Sequence, residues 1–209
     1  MLKKLIRKTF KLHRPQQRRI MMGRLARWFP DLLIEPPMAE INGQLMTLSR
    51  AALIAFIEDQ LAEGLIQGKV LDVGAGTTSF CRRLLSEHCE YTASDCFEHE
   101  NIDVVCDIYA LDQAFESASF DTILCLEVLE HLQKPQQAVD QIYSLLKPGG
   151  TLLLTTPFNY PIHTTEYTDD YWRFTASGLK QLLKAFSSTD IIPTGHPRFP
   201  YGYCTLATK

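Results

Sequence analysis

The chain has 209 residues, 45% of them hydrophobic, and a formal net charge of −3. That is enough apolar material for one globular domain with a small appendage, and no stretch approaches the ~20 consecutive apolar residues that cross a bilayer. Cys81, Cys89, Cys96, Cys106, Cys125 and Cys204 contain no C-x-x-C pair; this speaks against zinc or a disulfide framework and for reduced thiols in the cytoplasm.

The near-neutral total hides an asymmetry. Residues 1–30 carry ten Lys or Arg and no acid, leaving 11 bases against 24 acids in the remainder. Leu2, Leu5, Ile6, Phe10 and Leu12 fall at helical spacing with cations between them, and Ile20, Met21, Leu25, Trp28 and Phe29 repeat the mixture. Residues 1–47 therefore read as a basic helical N-terminal extension. It either caps the domain or lies through residues 1–30 on an anionic membrane surface. Lys, Arg and His interrupt every apolar run, so a secretory signal is not expected.

Pro30, Pro36 and Pro37 break the chain, and residues 30–47 are expected to be irregular. Ser49 is a candidate N-cap for a helix over residues 50–65, with Leu53, Phe56, Ile57 and Leu61 on one face. Strands and helices then alternate: a strand at 69–73, a helix at 79–87, strands at 91–94, 103–106 and 120–124, and a helix at 136–146. A Lys147-Pro148-Gly149-Gly150 turn leads to a strand at 151–155. A helix at 175–185 follows, capped by Thr175 or Ser177, and 191–193 with 203–207 close the sheet as a hairpin-like pair. Such alternation predicts an α/β domain at 48–209, with a mostly parallel sheet covered on both faces.

The most informative run is Val70 to Phe80, an apolar strand that ends in a glycine turn. Gly74 and Gly76 let a ligand approach the backbone, and the N–H groups of the helix that follows offer it a polar floor. Asp95, 19 residues after Gly76 at the end of the next apolar run, is placed to accept hydrogen bonds from two ribose hydroxyls. The pair points to a nucleoside cofactor. A dinucleotide is disfavoured, because its G-x-G-x-x-G fingerprint has Ser79 at the third glycine.

Several motifs together resemble the class I S-adenosylmethionine-dependent methyltransferases. They are Asp72-Val73-Gly74-Ala75-Gly76, Asp95, Cys106-Asp107-Ile108, Phe120 to Leu132, and Leu146-Lys147-Pro148-Gly149-Gly150. The resemblance covers roughly residues 65–190 and resembles most the ubiquinone-pathway and small-molecule or glycan-pathway members. It implies a three-layer Rossmann-like sheet of seven strands with the last antiparallel, S-adenosyl-L-methionine as cofactor, and Asp107 near the adenine amino group. The implied cofactor-binding residues are Asp72, Gly74, Ala75, Gly76, Asp95, Cys96, Asp107, Ile108, Leu126 and Glu127.

Two polar segments belong to the edge where such folds bind ligands. Glu127-Val128-Leu129-Glu130-His131 places two carboxylates and an imidazole on one side if it opens a helical turn. It resembles the magnesium-binding sequence of ubiquinone-pathway O-methyltransferases and small-RNA 2′-O-methyltransferases, with His163 as the further ligand. Many metal-free relatives carry a similar run, and no resident metal is expected. The second segment, residues 156–175, is longer than most connections, and loops of that kind tend to be functional. In it His163 is the expected general base or acceptor orienter, with Glu166 beside it. Trp172 and Phe174 are expected in the core, Tyr171 either there or as a ring for an acceptor or a lid, and Arg173 beside an acid.

The leading expectation is methyl transfer to a small-molecule or glycan-precursor acceptor at oxygen, in the cytoplasm or peripheral to a membrane. An RNA 2′-O-methyltransferase with magnesium is the second enzymatic reading, disfavoured by the acidic body. A regulator that keeps the fold without catalysis is the third. No Asn- or Asp-Pro-Pro-Tyr motif follows the fourth strand, where Cys125-Leu126-Glu127-Val128 stands; that counts against base-amino methylation.

Overall fold

A computed structural model describes residues 38–41, 44–77, 80–165 and 168–209. The expected basic helices, Thr78, Ser79 and Glu166 lie outside these residues. Residues 38–47, expected to be irregular, instead form an antiparallel pair, β1 (Met38–Ile41) and β2 (Gln44–Thr47). Helix α1 (Leu48–Ala62) follows directly. Its N-cap is Thr47, two residues before the expected Ser49: the Thr47 Oγ1 accepts from the Arg50 N–H at 3.2 Å. Ser49 lies inside the first turn, its Oγ 3.0 Å from Thr47 Oγ1.

The body alternates as expected. β3 (Lys69–Val73), α2 (Phe80–Leu85), β4 (Glu90–Asp95), β5 (Val104–Val105), β6 (Phe120–Leu126), α3 (Pro135–Leu145), β7 (Leu146–Pro157), α4 (Ala176–Leu182), β8 (Ser188–His196) and β9 (Phe199–Thr208) follow in order. Seven strands form one sheet in the order β5-β4-β3-β6-β7-β9-β8. The first five are mutually parallel, and β9 runs antiparallel between β7 and β8. The hairpin-like closure is therefore present, with strands longer than the sequence suggested. The chain steps outward from β3 to β5, then crosses back to β6 beside β3. That reversal opens a crevice at the carboxyl ends of β3 and β6.

Side chains of the strands alternate between two cores. Leu71, Val73, Ile123, Cys125, Leu152 and Leu154 pack with Val139 and Ile142 of α3 and Leu179 of α4. Val70, Leu124 and Leu153 pack on the other face with Phe56 and Ile57 of α1 and Leu85 of α2. Both faces are thus covered, giving the three layers that period-2 strands with apolar residues on both sides require. Each fully buried Leu or Ile contributes roughly 1.5–3 kcal/mol.

The Lys-Pro-Gly-Gly turn is a bulge within β7. Phe120 pairs with Leu146, but Thr122 pairs with Thr151, so the extra residues loop out. Gly149 has φ +78°, and a Cβ on Gly150 would lie 2.9 Å from the Lys147 carbonyl oxygen. The Lys147 Nζ reaches back to Asp121 Oδ2 at 2.7 Å, and the same oxygen accepts from the Lys69 N–H at 2.9 Å. One carboxylate thereby ties β3, β6 and β7 together, and this hydrogen bonding holds it below its ordinary pKa.

Lys209 closes the same end of the sheet beside this turn. Its Nζ donates to the carbonyls of Tyr143 at 2.6 Å and Leu146 at 2.7 Å, and lies 4.6 Å from the centre of the Tyr143 ring. It satisfies carbonyls that the end of α3 leaves open. Lys209→Met is expected to lower stability by about 1–2 kcal/mol in chemical denaturation, with the cofactor site unchanged.

Candidate active site

The glycine turn forms the floor. Gly74 has φ +70°, and a Cβ there would lie 2.7 Å from Val128 Cγ2, so both conformation and space require glycine. Gly76 has φ +64° but open space around its Cα; its requirement is conformational alone. Three backbone donors fasten the turn to β4. The N–H groups of Gly74 and Ala75 reach the Ser94 carbonyl at 2.8 and 3.1 Å, and the Gly76 N–H reaches Asp95 Oδ2 at 2.9 Å. Asp95 Oδ1 accepts from the Phe97 N–H at 3.1 Å. The acid is held in place while each oxygen keeps a further lone pair for a ligand.

A cleft of about 760 Å³ opens above this floor. It brings together Gly74, Gly76, Asp95, Cys96, Asp107, Ile108 and Glu127 from the expected set. Ala75 and Leu126 belong to the supporting backbone and do not line the cleft. Asp107 N-caps a 3-10 turn at 108–113, accepting from the Tyr109 N–H at 2.9 Å. Asp72 is also absent from the cleft wall. It is buried beneath the turn, where its Oδ2 accepts from the Tyr91 hydroxyl at 2.6 Å. Burial pushes its carboxyl up to about 6 against the opposing hydrogen bond from Tyr91.

Glu127 does not open a helical turn. Its φ is +57°, a conformation that side chains disfavour. Its N–H is held at 3.1 Å by both the carbonyl and the hydroxyl oxygen of Thr155. The turn at Leu129–His131 starts two residues later, because the chain must leave the strand sharply to clear Gly74. The Glu127 carboxyl is raised by burial, and that of Glu130 is raised well above its ordinary value by burial and by the Glu127 charge.

His131 and His163 meet edge to face, ring centres 4.8 Å apart. Donor atoms of Glu130, His131 and His163 all lie within 4.8 Å of one another. Glu130 is fully buried, and neither of its carboxyl oxygens has a hydrogen-bond partner. Its distance to His131 Nε2 is 3.7 Å. The sequence placed four residues in this group; the tight cluster consists of three, and Glu127 stands outside it because its backbone is left-handed. His163 does not line the cleft itself. It is one ring removed, behind His131, which does.

The connection between β7 and α4 forms the far wall. The Tyr171 and Trp172 N–H groups donate to the Glu130 carbonyl at 2.7 and 3.2 Å, and the Trp172 Nε1 donates to the Leu132 carbonyl at 2.8 Å. Thr165, Thr168, Asp169 and Tyr171 face the cleft. Arg173 pairs with Asp170, as expected. Trp172, expected in the core, is instead 43% exposed and Tyr171 42%, and only Phe174 packs partly against the core. Their hydrogen bonds run to the turn at 129–132, so the segment lies over the surface rather than entering it.

Arg50 was not legible as a site residue. On α1 it stands over the Phe80 ring at 5.5 Å, and its charge acts on Glu127. No carboxylate among the described residues forms an ion pair with it. Tyr91 and Thr155 were equally silent; each holds a site residue through a contact between strands, which carries no motif.

A glycine turn braced by an acid from the adjacent parallel strand, on a sheet of this order, is the arrangement by which α/β proteins hold a nucleoside-bearing ligand at the carboxyl edge of the sheet. Residues 23–192 match the family described as methyltransferase domain, and the chain belongs to that family. The chain is 31% identical over 116 residues to ubiquinone biosynthesis O-methyltransferase from Idiomarina loihiensis, covering 49% of this chain and 47% of that one. It is 31% identical over 150 residues to the protein of the same name from Coxiella burnetii, covering 58% and 62%. It thus spans about half the length of the curated relatives it matches. Among solved structures, a SAM-dependent methyltransferase from Archaeoglobus fulgidus is similar with a TM-score of 0.61 at 16% identity, covering 77% of this chain and 95% of that one. The 1,6-didemethyltoxoflavin-N1-methyltransferase of Burkholderia thailandensis is similar with a TM-score of 0.57 at 20% identity, covering 82% and 94%. These two likenesses concern the fold.

The raised Asp72 carboxyl makes a signed prediction. Its folded value lies above its unfolded one, so its contribution to stability is present below about pH 4 and is lost as pH rises through about 6. Asp72→Asn is expected to raise the unfolding free energy at pH 8 by roughly 1–3 kcal/mol, and to change it little at pH 4. Thermal melts at the two pH values read the difference.

Proposed function

We propose that this chain transfers a methyl group from S-adenosylmethionine to an oxygen of a small-molecule or glycan-precursor acceptor, with His163 as general base. The observation that carries the reading is a partly exposed imidazole anchored by a buried carboxylate, 4.8 Å ring to ring from His131 on the cleft wall. The sulfonium is already reactive, so the protein's task is to align donor and acceptor and to accept a proton. An imidazole suits a hydroxyl acceptor at neutral pH. Asp95 takes the ribose hydroxyls and Asp107 the adenine amino group, with Gly74, Gly76, Cys96, Ile108 and Glu127 around them. Asp72, Ala75 and Leu126 support the turn from behind. Glu166 is proposed as a second catalytic residue on its place in the sequence. The O-methyltransferase names of the curated relatives support oxygen as the methylated atom.

A donor-dependent screen over quinol-like phenols, sugars, carboxylates and small RNAs tests the reading. A hydroxyl acceptor is expected. His163→Ala is expected to lower kcat by about 10²-fold or more, with S-adenosylhomocysteine affinity within twofold by calorimetry. Full turnover in that variant would refute the base assignment. A chain that fails to bind the donor would be a regulator instead.

A second reading has its own observation. The unpartnered carboxyl of Glu130 beside two imidazoles is a donor set for a divalent cation. One carboxylate with two imidazoles suits a borderline transition-metal ion better than magnesium, which favours oxygen ligands. Such an ion, held by Glu130, His131 and His163, would lower the proton affinity of an acceptor hydroxyl. Turnover lost to a chelator and restored by added cation supports this reading; turnover indifferent to chelator supports the metal-free one. The acidic body still speaks against a long RNA footprint under either.

We further propose that the chain works in the cytoplasm and that residues 1–30 touch an anionic membrane surface. No helix among the described residues is long and apolar enough to cross a membrane. The full chain is expected to sediment with anionic vesicles at low salt more than a chain lacking residues 1–30. Equal sedimentation would remove the proposal.

A further inference from the structure

His163 and Asp170 are seven residues apart in a connection without regular structure, yet they meet twice. Asp170 Oδ2 accepts from the His163 backbone N–H at 3.0 Å and lies 3.1 Å from its ring Nδ1. The Pro161 carbonyl oxygen lies 3.2 Å from the same ring nitrogen. An ionised carboxylate and a carbonyl are both acceptors only. In the neutral ring, the one tautomer that satisfies both places the proton on Nδ1 and leaves Nε2 as a bare lone pair.

Arg173 fixes both acceptors. Its Nη1 and Nη2 donate to the two oxygens of Asp170, the second at 2.7 Å, and Nη2 also lies 3.2 Å from the Pro161 carbonyl oxygen. The paired geometry of a guanidinium on a carboxylate sets orientation as well as attraction. The Asp170 side chain is 1% exposed and that of His163 is 36% exposed, so the anchor is enclosed while the ring stays open. Two guanidinium hydrogen bonds, one to each oxygen, hold the Asp170 carboxylate as an acceptor. The adjacent residue acts alike on the neighbouring ring: the Asp169 carbonyl oxygen lies 2.6 Å from His131 Nδ1.

Building on the base role of His163, we propose that Asp170, held by Arg173, is a positioning residue that keeps the proton of His163 on Nδ1 and presents Nε2 to the acceptor. A clamp that merely folded the connection would not depend on which nitrogen carries the proton.

The test uses the full chain with ¹⁵N-labelled histidine and bound S-adenosylhomocysteine. Two-bond ¹H–¹⁵N correlations report the tautomer of each of the six histidines, and His163→Gln assigns the signal. The wild-type ring is expected as a single Nδ1–H tautomer. Asp170→Asn, and independently Asp170→Ala, are expected to turn it into a mixture. With the acceptor from the screen, kcat falls about 10²-fold or more, while KM for the donor stays within twofold. A wild-type proton on Nε2, or a pattern unchanged in a folded variant, overturns the proposal; should neither variant fold, the wild-type pattern decides. If the tautomer follows Asp170 but His163→Ala keeps turnover, the base reading falls and the positioning stands.

Discussion

The parallel pairing of β3 with β4 and with β6 is the constraint on which the site depends. Val73 pairs with Ser94, and Asp72 with both Ala93 and Leu124, so the three strands end at nearly one level. The loops that leave them converge. The glycine turn then donates two hydrogen bonds to the Ser94 carbonyl and one to the Asp95 carboxylate. A shift of one residue in that register would turn Asp95 to the other face of the sheet and leave the Gly76 N–H without its acceptor. The floor of the cleft and its acid are thus one hydrogen-bonded unit, made before any ligand arrives.

Around that unit the protein keeps polar groups in places that oppose stability. Asp72 and Glu130 are buried carboxyls and Glu127 is a half-buried one, each raised by desolvation. Glu127 adds a left-handed backbone, and Glu130 lacks a hydrogen-bond partner. Burial without a partner costs free energy, and such costs cluster where a ligand or a reaction makes use of them. The compensation is local and apolar: Leu129 is fully buried beside Glu130, and Ile123 and Cys125 lie fully buried on β6. The sheet supplies rigidity on which strained groups can be held.

The connection between β7 and α4 works differently. It has few core contacts of its own and is fastened by polar bonds to the turn at 129–132 and by Arg173 to Asp170. Those bonds bring His163 beside His131 and place Asp169 and Tyr171 on the cleft wall. A segment anchored by a few hydrogen bonds opens more easily than a strand of the core. That suits a wall lying between solvent and the cleft.

The sequence by itself determined the layered α/β fold, the cofactor turn and the distant acid. Period-2 apolar strands, Gly74 and Gly76, Asp95 and the Lys-Pro-Gly-Gly bulge act through local rules: side-chain alternation, backbone conformations open to glycine, and fixed spacing between elements. Those rules missed the β1–β2 pair and placed the α1 cap two residues late, because pairing and capping choices depend on neighbouring contacts. Only the tertiary structure decided which polar side chains meet. Glu127 and Glu130 share a motif, yet the left-handed turn at Glu127 separates them, and Glu130 finds its neighbours in His131 and a histidine 33 positions onward. Arg50, Tyr91 and Thr155 became site residues through contacts between elements that no linear pattern encodes. Trp172 read as core from its apolarity, but an indole N–H that finds a partner at the surface can remain there. Local chemistry specifies what each element is; the crossing of chains distant in sequence specifies what each side chain touches.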